Sequence, residues 1–178
     1  MALPDKGILL ALTGIDVPTL EAVSLLGEIE LLVPAALLIG VALWGARRRA
    51  EALAWLTALA LCIAVVGVLK TTLGSFQIRI FHFHEFKAAS FPSGHASLSF
   101  AFYGGLAVLL RQRWQGRLAR LAEAGLFTAP VAVTLAVWLL YWHPIIDVGF
   151  GTIVGLACVR ICAALAERLE GRVPAPSH

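Results

Sequence analysis

Residues 29–44 read IELLVPAALLIGVALW, and residues 45–49, which follow at once, read GARRR. Glu30 is the lone charge in that first segment, so a bilayer accepts the segment far more readily than water does, and its length calls for little tilt. The arginine triplet that ends it marks the end held on the cytoplasmic side.

The same reading carries outward along the chain. Ala50–Leu73 is a second span, with Lys70 near its far end and Gly74 closing it. Gly94–Leu110 is a third, led in by FPSGH, where Pro and Ser suit a helix start better than a helix interior. Leu126–Leu140 is a fourth, and Val148–Ala164 forms the body of a fifth after the tight YWHPIID connection, whose Pro144 is tolerated in a first turn. Upstream, an apolar stretch is broken by Gly14, Asp16 and Pro18, which leaves Thr19–Leu26 as a short interfacial helix, or alternatively a re-entrant or sixth crossing. Residues 75–93 carry His82, His84, Glu85 and Lys87, costly in hydrocarbon, and read as an interfacial connection. RQRWQGRLARLAEAG reads as a basic connection with a short surface helix, and the tail VPAPSH as disordered. The expected fold is all-α: a polytopic transmembrane bundle of five spans plus an N-terminal interfacial or sixth helix, in one domain over residues 1–178 with its core at about 19–166.

Composition agrees with a membrane solvent. Hydrophobic residues make up 60% of the chain and charged ones 14%, against roughly 25% charged in a soluble domain. The net charge of +3 comes from arginines in short connections, so it reads as a topology signal and not as a nucleic-acid surface. Cys62, Cys158 and Cys162 lie in apolar runs and read as core filling, without a disulfide or a metal. Asp5, Lys6, Asp16 and Glu21 interrupt the first apolar stretch, so no cleavable signal is expected.

Five spans put the arginine-rich connections and the tail in the cytoplasm. Lys70, Arg79, His82, His84, His95, His143 and Asp147 then share the outward face, and Gly151 and Gly155 allow the close helix approach that would draw those ends together. His95 sits in the first turn of a helix beginning at Pro92-Ser93-Gly94, where unpaired amides, the positive helix end and a Ser hydroxyl favour an anion; an ordinary cap beside an interfacial histidine is the alternative. His143 and Asp147 are four apart, on one side of a helix turn. A carboxylate on one ring nitrogen fixes the tautomer and leaves the other nitrogen to attack or to take a proton, while a polar pair joining two helices is the plainer reading. His82-Phe83-His84 would set two imidazoles on one side of an extended segment; a metal site with His95 and His143 is one reading and a solvated interfacial loop the other.

Together these residues resemble the type 2 phosphatidic acid phosphatase family of phosphomonoesterases and phosphotransferases. Its second motif, Pro-Ser-Gly-His, is complete as Pro92, Ser93, Gly94 and His95. The His-x-x-x-Asp of its third motif matches His143 and Asp147, with Gly151 at a position that is often small, and the lysine of its first motif falls on Lys70. The resemblance covers roughly residues 19–166 and implies a helical core. It further implies His143 as nucleophile through a phosphohistidine, Asp147 as its orienter and His95 as the acid for the leaving oxygen. Ser93, the Gly94 amide and Lys70 would hold the phosphoryl oxygens, and no metal or other cofactor is needed. Two of the family's arginines are missing. Gln77 and Ile78 stand where Arg-Pro is usual, and Ala136 and Val137 where Ser-Arg is usual. Arg79 and Lys87 are the candidate replacements.

The resemblance implies a phosphatase that removes phosphate from a membrane lipid at the outward face of a bacterial inner membrane. Phosphatidic acid, phosphatidylglycerol phosphate, a prenyl diphosphate and a phosphorylated glycolipid are all compatible substrates. A lipid phosphotransferase or phosphodiester-cleaving enzyme, and a non-catalytic lipid-phosphate binding or transport protein, are the alternatives.

Overall fold

The computed structural model describes residues 14–81 and 91–171, and of residues 74–81 the backbone alone. It is helical from end to end: α1 Val17–Leu25, α2 Ile29–Gly45, α3 Arg49–Phe81, α4 Gly94–Ser99, a π-helical stretch Phe100–Gly104, α5 Gly105–Arg113, α6 Arg117–Leu139 and α7 Ile145–Glu170.

Among the described residues four helical stretches are long and apolar enough to cross a membrane: Val17–Gly45, Arg49–Leu73, Arg117–Leu139 and Ile145–Glu170. The chain is a polytopic integral membrane bundle, and the expected count of five spans plus a sixth helix is corrected to four such stretches. Two causes lie behind the difference. The turn between α1 and α2 keeps helix-like bonding, with the amides of Leu26, Gly27 and Glu28 donating three residues back, so both helices form one apolar stretch. The third expected span is helical from Gly94 to Arg113 but is divided by the π-helical stretch. There the indole Nε1 of the fully buried Trp55 donates to the Phe102 carbonyl at 3.2 Å. A backbone acceptor inside an apolar core thus finds a partner from α3.

Two further boundaries moved. α3 runs on to Phe81 instead of stopping at Gly74, and the basic connection contains no separate surface helix, because α5 extends to Arg113 and α6 starts at Arg117. Local hydrogen bonding continues a helix past the point where hydropathy stops requiring one.

The turns that reverse the chain use one device twice. After α2, Arg47 takes a left-handed φ of 60°, its amide donates to the Trp44 carbonyl at 3.0 Å, and the Arg48 amide donates to Leu43 at 2.9 Å. After α6, Tyr141 takes φ 57°, its amide donates to Trp138 at 3.0 Å, and that of Trp142 donates to Val137 at 3.1 Å. Both are Schellman closures built without glycine, and each satisfies carbonyls that lipid would leave bare. The second one aims the Trp142-His143-Pro144 segment.

The core lies between α2, α3, the Gly94–Arg113 segment and α7, with Trp55, Ala58, Cys62, Ala101 and Cys162 almost wholly enclosed. α1 is set against α6 through Leu20, Ala136 and Leu140. Successive long helices run in opposite directions, so polar groups collect at two ends. Glu28, Lys70, His95, His143 and Asp147 mark one end, and Arg48, Glu51, Arg113 and Glu170 the other.

Candidate active site

The site begins with the start of α4. Ser93 is fully buried in extended backbone conformation, and its hydroxyl oxygen accepts the Ala96 amide at 3.4 Å as the helix cap. That bond uses an oxygen lone pair and leaves the hydroxyl proton for another acceptor. The Ser93 amide donates to the Asp147 carbonyl at 3.0 Å, joining the cap to the first turn of α7.

Glycine makes that junction possible. A Cβ at position 151 would lie 2.6 Å from the Ser93 carbonyl oxygen, and one at 155 would lie 2.6 Å from the Ser97 carbonyl oxygen and from Phe100 Cβ. No side chain fits at either place, so α7 meets the His95 helix backbone to backbone. Asp147 stands one turn before Gly151, fully buried in the first turn of α7, where the helix end favours a carboxylate.

His143 Nδ1 lies 3.6 Å from Asp147 Oδ2, with the two side chains 11% and 0% exposed. That is an ionic separation beyond hydrogen-bond length, and Nδ1 is buried with no hydrogen-bond partner among the described residues. The His95 and His143 rings meet edge to face with centroids 6.3 Å apart, and Trp142 flanks His95 at 5.7 Å. From α3, the half-buried Lys70 reaches over Gly94, its Nζ 4.0 Å from where a Cβ would stand. It also interacts electrostatically with Asp147.

The structure therefore brings together Lys70, Ser93, Gly94, His95, His143 and Asp147 from three separated parts of the chain. It does not reach the remaining two candidates: the Arg79 side chain and the whole of Lys87 lie outside the described residues, as do His82, His84 and Glu85. Among the described residues no group of three His, Cys, Asp or Glu is placed to hold a metal. Where the resemblance leads one to expect Ser-Arg, Ala136 and Val137 are buried at 1% and 0% exposure, so apolar packing occupies the position of a guanidinium.

Sequence reasoning missed Glu28. Its Oε1 lies 3.0 Å from His95 Nε2 across 67 residues of chain. The available signal was Glu28 itself, the first of two carboxylates in LLGEIE at the break between two apolar runs.

Two histidines, a buried aspartate and a lysine thus meet at one end of an all-helical membrane bundle. Residues 51–170 match the PAP2 superfamily, and the chain belongs to that superfamily of type 2 phosphatidic acid phosphatases. Membership makes it an enzyme of the lipid phosphate phosphatase type, acting on a membrane lipid. No curated protein and no solved structure matches the chain.

Proposed function

We propose that this protein, working as a single membrane-embedded unit, dephosphorylates a phosphorylated lipid at the outward face of a bacterial inner membrane, through a phosphohistidine on His143. The observation that carries this reading is the meeting of the His143–Asp147 pair with His95 at 6.3 Å between ring centroids, beside Lys70 and the Ser93 cap. Asp147 faces Nδ1, so Nε2 is the attacking nitrogen. The Nε2–P bond forms as the bond to the lipid oxygen breaks, and His95 gives that oxygen its proton. Water then attacks phosphorus, returns a proton to His95 and releases inorganic phosphate. Lys70, the Ser93 hydroxyl and the Gly94 amide stabilise the charge that gathers on the phosphoryl oxygens.

The membrane orientation rests on arginines. Arg47 and Arg48 on the turn after α2, and Arg49, Arg111, Arg113, Arg117 and Arg120 in the adjoining helix ends, lie at the end opposite the site, and we assign that end to the cytoplasm. In this reading the Gly94–Arg113 segment is the fifth crossing, alongside the four long helical stretches.

A hydrocarbon tail has a place to lie. An apolar groove of about 140 Å³ between α2 and α3 is lined by Leu32, Leu37, Leu56, Ile63, Leu98 and Phe102 among others, with Leu37 exposed at its rim. Leu32 and Leu98 sit one turn beyond Glu28 and His95. Measured along α3, the groove extends from roughly 10 Å to roughly 20 Å below Lys70, the depth of an acyl or prenyl chain whose phosphate is at the site. On the other side, α3 carries backbone position 79 about 13 Å past Lys70. From that backbone position we assign Arg79 to the part of a headgroup that projects beyond the reacting phosphoryl.

The burial of Val137 and Ala136 supports a second reading. Without a guanidinium clamp on the phosphoryl oxygens, transfer of the group to an acceptor lipid, or cleavage of a phosphodiester, competes with hydrolysis. Purified protein supplied with a panel of lipid phosphates in detergent decides between them. Inorganic phosphate as the product, lost in His143→Ala, supports the phosphatase; a phosphorylated or headgroup-exchanged acceptor lipid supports the alternative.

A further inference from the structure

We propose that Glu28 is the positioning residue for His95, and that it makes Nδ1 the nitrogen through which His95 exchanges its proton. The inference rests on the reading of His95 as the acid for the leaving oxygen.

The side-chain geometry picks out one edge of the ring. Glu28 Oε1 lies 3.0 Å from His95 Nε2, and the backbone at Gly27 presses on the same edge, since a Cβ at that position would stand 3.4 Å from His95 Cδ2 and 3.4 Å from His95 Cβ. Cδ2 and Nε2 are bonded neighbours in the imidazole, so the turn between α1 and α2 covers that edge. The opposite edge, which bears Nδ1, is left to meet a substrate. A carboxylate accepting from one ring N–H fixes the tautomer and orients the ring, as an outer partner does for a ligating histidine.

The turn that carries Glu28 is itself held in place. The Tyr103 hydroxyl donates to the Leu26 carbonyl at 3.0 Å, and a Cβ at position 27 would fall 2.5 Å from Val133 Cγ1, so the backbone is wedged between α6 and the His95 helix. Glu28 nonetheless keeps a third of its side chain exposed, and His95 about a sixth, so neither group is sealed from an entering headgroup. Among the described residues, the other charged or titratable groups near His95 include Lys70 from α3 and His143 and Asp147 at the start of α7. Glu28 also lies outside the residues matched to the superfamily, which begin at 51, so the N-terminal helices contribute a part that the matched segment does not contain.

The chemistry stays balanced with Nε2–H held by Glu28 throughout. His143 Nε2 forms the N–P bond, the P–O bond to the lipid breaks, and the Nδ1 proton of His95 goes to the leaving oxygen. Water then forms the new P–O bond as N–P breaks, and its proton returns to Nδ1. Glu28 touches neither phosphorus nor leaving group.

The test is a leaving-group comparison on the full chain in detergent, using kcat/KM, which reports the phosphorylation step and not the later hydrolysis. Dodecyl phosphate, an alkyl ester, needs its leaving oxygen protonated; p-nitrophenyl phosphate does not. For Glu28→Ala the expected result is a loss of about 10- to 100-fold on dodecyl phosphate and under about 3-fold on p-nitrophenyl phosphate. Glu28→Gln, whose amide oxygen still accepts from Nε2–H, should recover part of the loss. His95→Ala should show the same discrimination, and more strongly. If His95→Ala discriminates and Glu28→Ala does not, the acid role stands and positioning by Glu28 is wrong. An increase in rate for Glu28→Ala also overturns the proposal, because it would make the carboxylate an obstruction. If His95→Ala affects both esters alike, the acid role fails and the proposal fails with it.

Discussion

At the arginine end of the bundle, Glu51 is fully buried and both its oxygens are engaged. Arg48 holds it from the same helix start, with Nε at 2.8 Å from Oε1, and Arg113 Nε approaches at 3.0 Å from the end of α5. Arg113 continues to Glu170 at 2.7 Å, which ties the end of α7 into the same cluster. At the other end Asp147 is just as buried, and His143 Nδ1, which stands 3.6 Å from its Oδ2, has no hydrogen-bond partner of its own among the described residues. Lys70 there is half-buried over a glycine. Burial of a carboxylate thus says little by itself about function. A cluster in which carboxylates and guanidinium groups hydrogen-bond one another fastens helices together, whereas one that gathers two imidazoles, an ammonium and a buried carboxylate around a ring nitrogen with no hydrogen-bond partner among the described residues suits chemistry.

Substitutions at the two ends should therefore separate activity from stability. His143→Ala should lower phosphate release by about 100-fold or more with little change in melting temperature, since it removes a nucleophile and no packed cluster. Asp147→Asn should cost about 100-fold in kcat, because the amide no longer orients the ring as a carboxylate does. Equal melting curves beside wild-type turnover in either variant would erase the contrast between the ends. Glycine 155 links the two properties: Gly155→Ala forces a Cβ onto a carbonyl at 2.6 Å, and a loss of about 1–3 kcal/mol with a fall of about 10-fold in rate is expected. Glu51→Ala should do the converse of His143→Ala. It leaves two part-exposed arginines without their shared partner and costs about 1–2 kcal/mol, seen as a lower melting temperature, while the protein that remains folded turns over within about 2-fold of wild type. The smallest effect is expected for Arg79→Ala, about 3-fold in kcat/KM, and larger only on substrates with an extended headgroup.

Much of this layout is legible in the sequence where the physical signal is local. Pro92-Ser93-Gly94 reads as a helix start because a capping hydroxyl and its helix are adjacent, and His143–Asp147 reads as a pair because a helix turn sets their spacing. Gly151 and Gly155 lie one turn apart, so a close approach could be anticipated, although not the Ser93 and Ser97 carbonyls they meet. The signals that failed are those set by distant partners. Nothing beside Glu51 or Glu28 in the sequence points to Arg113 or His95, which stand 62 and 67 residues away and meet them only in the fold. The π-helical stretch leaves no mark in FAFYG, because its carbonyl is satisfied by an indole 47 residues away. Hydropathy ended α3 at Gly74, since it senses lipid and not the backbone bonding that carries the helix to Phe81.

The central claim, that phosphate passes through His143, is tested most directly by trapping it. Enzyme mixed with a lipid phosphate labelled in its terminal phosphoryl group is quenched in alkali within milliseconds, digested and mapped by mass. The account predicts a label that survives base and is lost in acid, carried on the peptide that contains His143 and absent from His143→Ala. A base-stable label that persists in His143→Ala, or phosphate release by that variant at a rate close to wild type, would contradict it.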